Sequence, residues 1–166
     1  MSIATSVPGL IEDSIALERA GDIGAALTHA RQALELARSE GDPTAIVPAL
    51  VAVARCRHRL GQYAEARALS EEAVALAPAG SSAQANGLLM LAMSTAETEH
   101  LAEAEGYYLR AADLAREIGS PEIRYRALNN RAVGVYFSRG QFDLAHSALH
   151  EALRLARELS LDHFLP

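Results

Sequence analysis

The chain has 166 residues, a formal charge of −6, half its residues apolar and only 5% aromatic. That length suits one domain with a continuous core, built from closely approaching small residues rather than large rings. The charge balance excludes a nucleic-acid surface, which needs clustered positive charge, and no uncharged run approaches the roughly 18 residues that span a bilayer. The single cysteine, Cys56, fits a reducing compartment and reads as a small buried apolar residue, so a cytoplasmic location is expected.

Taken in order, the first helix is predicted to start near Ser6, with Pro8 in its first turn, and to end at Gly21. Asp22 caps a second helix running to about Glu40, and Gly41-Asp42-Pro43 supplies a stop, a cap and a first-turn proline. The third helix, Pro43 to Leu60, contains Pro48, which predicts a bend there or a regular part that begins at Pro48. Pro48 precedes Gly61 by the same distance that Pro8 precedes Gly21, so the two prolines share one structural position. The fourth helix is Gln62 to Ala77, and Pro78-Ala79-Gly80-Ser81-Ser82 is the clearest loop in the chain. A fifth helix follows to about Thr98. Glu97-Thr98-Glu99-His100 fills a turn that elsewhere has glycine, and a sixth runs from about Leu101 to Ile118. Gly119-Ser120-Pro121 repeats the stop, cap and proline. The seventh helix then reaches Ser138, Gly140 breaks it, and the eighth runs from Gln141 to about Leu159.

One spacing recurs four times. With Ala26, Ala66, Ala104 and Ala145 as anchors, alanine returns seven positions later at Ala33, Ala73, Ala111 and Ala152, and eleven later at Ala37, Ala77, Ala115 and Ala156. Leucine stands ten later at Leu36, Leu76, Leu114 and Leu155, and Gly21, Gly61, Glu99 and Gly140 stand five before. Alanine makes up 34 of the 166 residues, so one alanine column carries little, but these columns in a single frame specify a repeat.

The second repeat, with Gly61, Tyr63, Ala66, Ala73 and Pro78, resembles the tetratricopeptide family, and the resemblance spans roughly residues 7–157. The family tryptophan is replaced by Leu10, Leu50 and Leu88, the terminal proline by Arg38, Arg116 and Arg157, and the period is longer than the family norm. In this it is similar to kinesin light chains and to sensor segments of large bacterial transcription activators. The resemblance implies an all-α fold: a right-handed α-solenoid of four helix hairpins, eight antiparallel helices in one domain spanning residues 1–166. The expected repeats are 7–40, 43–78, 82–118 and 121–159, with a tail at 160–166.

No phosphate loop, nucleophile elbow or paired-cysteine motif is present, so no catalytic or cofactor-binding residues are expected. His146 and His150 share a helix face, but a metal site would need a third ligand, and they read as surface histidines. Glu97, Glu99, His100, Glu103 and Glu105 read as solvated charge around a turn. The resemblance instead implies a non-enzymatic scaffold that binds a protein or peptide along a concave face lined by the first helix of each pair. There it places Arg55, His58 and Arg59, which could grip a carboxylate, Leu89, Met90 and Met93 as an adaptable apolar floor, and Asn130, Arg131 and Phe137. The alternative is a sensory segment of a larger bacterial regulator. No capping helix follows the eighth, so either a longer native protein or self-association through the last repeat is expected.

Overall fold

The computed structural model describes residues 6–158; the expected tail at 160–166 lies outside them. Among the described residues every regular element is a helix: α1 Val7–Arg19, α2 Ile23–Glu40, α3 Pro43–Arg59, α4 Tyr63–Leu76, α5 Ser82–Ala96, α6 Leu101–Glu117, α7 Pro121–Arg131 continuing as a π-helix over Ala132–Phe137, and α8 Phe142–Glu158. This is the all-α repeat fold that the recurring alanine frame predicts.

The helices group into two compact units, residues 1–77 and 78–166, divided at the Pro78–Ser82 loop. In the first unit, α1 pairs with α2 and α3 with α4, while α3 also packs on α1 and α2. The second unit repeats this plan, with α5 against α6, α7 against α8, and α7 touching both α5 and α6. Alanine makes this possible. Ala26, Ala30, Ala33 and Ala37 of α2 are fully buried, as are Ala104, Ala111 and Ala115 of α6, so backbones approach with nothing larger than a methyl between them. The leucine column does less: Leu155 is buried, but Leu76 is 43% exposed.

Local chemistry sets the ends. Ser6 Oγ accepts from the Gly9 amide at 3.2 Å, Asp22 Oδ1 from Ala25 at 3.0 Å, Asp42 Oδ1 from Thr44 at 2.9 Å, and Ser81 Oγ from Gln84 at 3.1 Å. Within the hairpins, Gly21, Gly61 and Gly140 adopt left-handed backbone (φ 86°, 74° and 68°). The following amide then bonds five residues back: Asp22 to Leu17, Gln62 to Arg57, Gln141 to Tyr136. The third hairpin has no glycine there, and Glu99 takes the same conformation, at φ 64°.

Three details differ from expectation. Ser120 makes no side-chain cap bond; its ψ of 88° is not the extended value found at Ser6 (154°) and Ser81 (160°), and its amide bonds Ala115 O at 2.8 Å. The regular part of α3 does not begin at Pro48. The helix starts at Pro43, and Pro48 and Thr44 are both exposed, so water reaches the Thr44 carbonyl that the missing proline N–H leaves free. The two prolines therefore sit at different depths in their helices. Finally, the seventh helix is not α-helical to Ser138. Gly61 follows Pro43 by eighteen positions, whereas Gly140 follows Pro121 by nineteen. The π turn at Ala132–Phe137 takes up the extra residue between two otherwise matched ends.

Candidate functional site

In the first unit the face to consider is that of α1 and α3. Arg55, His58 and Arg59 fall on the last turns of α3, where the helix dipole favours cations. Their environments differ. Arg55 Nε donates to Glu18 Oε2 on α1 at 2.5 Å, so a carboxylate of the chain already occupies it, and the two side chains are only 23% and 13% exposed. The His58 ring meets Tyr63 edge-on at 5.3 Å. Arg57, on the other side of α3, reaches Gln62 at 2.6 Å and Glu65 at 3.3 Å. Arg59 is exposed, as is Arg19 on α1, and Ile11 and Ile15 of α1 and Val51 of α3 are half-buried.

In the second unit the expected residues divide by depth. Leu89 and Met90 are 1% and 3% exposed, because α5 is apolar on nearly every side. Met93 is half-buried. Asn130 accepts from Asn129 Nδ2 at 3.3 Å. Arg131 lies over the Tyr136 ring, 5.3 Å from its centroid. Phe137 is 62% exposed and stands edge-to-face with Phe142, itself 60% exposed, at 5.3 Å.

Cys56 is not an activated nucleophile. Cys56 is fully buried beside Ser14, and burial pushes its thiol up, away from the thiolate that would react. The acidic turn is dispersed: Glu105 pairs with Arg139 at 2.7 Å, and Glu103 accepts from Tyr107 at 2.9 Å. Among the described residues no group of three or more histidine, cysteine or acidic side chains could hold a metal ion, and no helix is long and apolar enough to cross a membrane.

Sequence reasoning missed a cavity of about 570 Å³ at the N-terminal turns of α1 and α3, walled by Pro8, Ile11 and Pro48 with Glu12, Glu40 and Asp42 at its edge. The signal was the shared placement of the two prolines. At that edge the Thr44 hydroxyl and amide donate to the Asp42 carboxylate and hold its pKa below the usual range.

Residues 14–79 match the tetratricopeptide repeat family. No curated protein matches the sequence. Among solved structures, the chain is similar to BtubC (BKLC) of P. vanneervenii, 22% identical, over 92% of this chain and 63% of that one, with a TM-score of 0.75. It is similar to a Rap protein complexed with competence and sporulation factor, 15% identical, over 92% of this chain and 43% of that one, at 0.81. A thermophilic tetratricopeptide protein of Thermus thermophilus aligns over 90% of this chain and 74% of its own, 22% identical, at 0.65. The chain thus spans less than two thirds of the first two.

Proposed function

We propose that this tetratricopeptide-repeat chain is a non-catalytic cytoplasmic scaffold that captures an acidic peptide or protein segment on the α1–α3 face of its first unit. The carrying observation is the contrast between two arginines one helical turn apart. Arg55 is neutralised by Glu18, whereas no carboxylate reaches exposed Arg59 among the described residues. Arg59 with Arg19 supplies the cations, Ile11, Ile15 and Val51 supply apolar contact, and the Glu18–Arg55 pair braces the two helices beneath the ligand. In the second unit, Met93, Asn130 and Phe137 are the expected residues that reach the surface, with Arg131 beside them; they offer a mixed contact face in which Met93 and Phe137 supply the apolar part, while Leu89 and Met90 are buried in the core.

Fluorescence-polarisation binding of an acidic peptide library tests this reading. Arg59→Glu is expected to abolish the charge-dependent binders and to remove their salt sensitivity, while Arg110→Glu, at an exposed position of α6, leaves them intact. Identical binding by Arg59→Glu and wild type would remove the face from consideration.

A second reading is the sensory segment of a larger bacterial regulator. It is favoured by similarity over 92% of this chain to 43% of a Rap protein complexed with competence and sporulation factor. The full-length open reading frame decides between them: an output domain supports the regulator, and none leaves the scaffold. Self-association through the last hairpin belongs to the same proposal, and a strict monomer by light scattering would exclude it.

A further inference from the structure

Helix α8 carries two imidazoles on one exposed strip. His146 and His150 are four residues apart, and their Nε2 atoms stand 3.0 Å from one another, with ring centroids 4.3 Å apart and planes at 63°. A hydrogen bond between neutral rings fits this geometry when one Nε2 carries a proton and the other does not. Such a bond between exposed groups is worth only about 0.5–1.5 kcal/mol net. The separation is also what one metal ion imposes. Two nitrogens each about 2.0–2.1 Å from a tetrahedral or octahedral ion, in adjacent positions, lie about 3 Å apart.

We propose that His146 and His150 form a two-imidazole chelate for a late first-row divalent cation such as Zn²⁺ or Cu²⁺. Imidazole suits these ions, whereas Mg²⁺ and Ca²⁺ select oxygen donors. Among the described residues no third histidine, cysteine or carboxylate joins the pair, so it lacks the third protein ligand of a permanently loaded site; water fills the remaining positions and the ion exchanges readily. The site needs no induced fit, because the helical repeat already sets both rings on one side of α8 with their donor atoms converging. Its physical effect is a staple across one turn of the helix, which stabilises folded α8 by an amount that grows as the logarithm of the ion concentration once that exceeds the dissociation constant.

The test is titration of untagged protein with Zn²⁺, followed by competition against a chromogenic chelator and by the Nε2 resonances of the histidines. A single equivalent is expected to bind and to shift both His146 and His150, Mg²⁺ is expected to have no effect, and the melting temperature is expected to rise with added Zn²⁺. His146→Ala and His150→Ala each remove a ligand. Each is therefore expected to weaken binding by more than the roughly 10–100-fold that loss of an outer-shell partner costs, while His29→Ala changes nothing. Both rings are exposed, so these variants keep the far-UV spectrum of wild type. Zn²⁺ binding equal in wild type and the His146→Ala/His150→Ala double variant, or a shift confined to one of the two histidines, would overturn the assignment.

Discussion

Glu18 and Arg55, on neighbouring first helices thirty-seven residues apart, close a hydrogen-bonded ion pair that is mostly shielded from solvent. It lies between an exposed pair, worth about 0–1 kcal/mol, and a fully buried one, whose disruption costs roughly 3–5 kcal/mol. Glu18→Gln is therefore expected to cost about 1–2 kcal/mol in urea unfolding, and Arg55→Met a similar amount. The double variant should cost clearly less than the sum, because neither charge is then left alone. Strict additivity would show that the pair is incidental to the α1–α3 contact.

A second expectation concerns the turn that lacks glycine. Glu99 holds φ 64°, a conformation that costs an L-residue roughly 1–2 kcal/mol. The glycines at the corresponding positions of the other three hairpins avoid this cost. Glu99→Gly is expected to stabilise the second unit by about 0.5–1 kcal/mol once the extra freedom of glycine in the unfolded chain is subtracted. Gly61→Ala should do the reverse: nothing lies within 4 Å of its added methyl, so the loss is one of backbone alone. Thermal melts of the two variants check both signs.

The difference between these two relationships explains what the sequence could reveal. Caps at Asp22 and Asp42 were legible because each bond joins residues within three positions, and the alanine columns were legible because they recur. The Glu18–Arg55 pair was not, since the two residues lie on different helices thirty-seven positions apart and only packing of α3 on α1 brings them together. The same holds for Leu89 and Met90, whose helical spacing fits an inner face equally well whether that face is open or covered. The Ser120 cap failed for a different reason. Residue type made it plausible, but a ψ of 88° decided it.

Alkaline pH should separate the two units. Burial raises the Cys56 thiol in the first unit, and it raises the Tyr108 phenol in the second, where nearby Glu97 adds to the effect. Above the ordinary values of 9.0 and 10.0 the unfolded chain loses protons that the folded chain keeps, so stability falls as pH rises. Below 9.0 both states hold the protons and neither group contributes a slope. The chain contains no lysine, which leaves this range free of the usual competing titration. Guanidinium unfolding between about pH 8 and pH 11 is expected to show a decline that Cys56→Ala and Tyr108→Phe each flatten in part. A curve unaltered by both variants would remove these groups as the cause.

The π turn gives the most direct test of how the fourth hairpin differs from the second. If Ala132–Phe137 stores one surplus residue, deleting Gly134 should let a regular α-helix run from Pro121 to the Gly140 turn with the flanking faces still in register. Gly134 has no side chain to lose, and its closest neighbours, the Tyr108 hydroxyl at 3.5 Å and the Ala96 methyl at 3.8 Å from where a methyl would sit, leave room for the backbone to tighten. Deleting Ala54 from α3, which is fully buried in a helix without such slack, rotates every later residue of that helix by about 100° and breaks its contacts with α1 and α4. The Gly134 deletion is therefore expected to retain a cooperative melt at modest cost, whereas the Ala54 deletion unfolds the first unit, read out by rapid alkylation of Cys56. Equal damage from both deletions would mean that the π turn is held by its contacts with α6 and α8 rather than by an excess of chain.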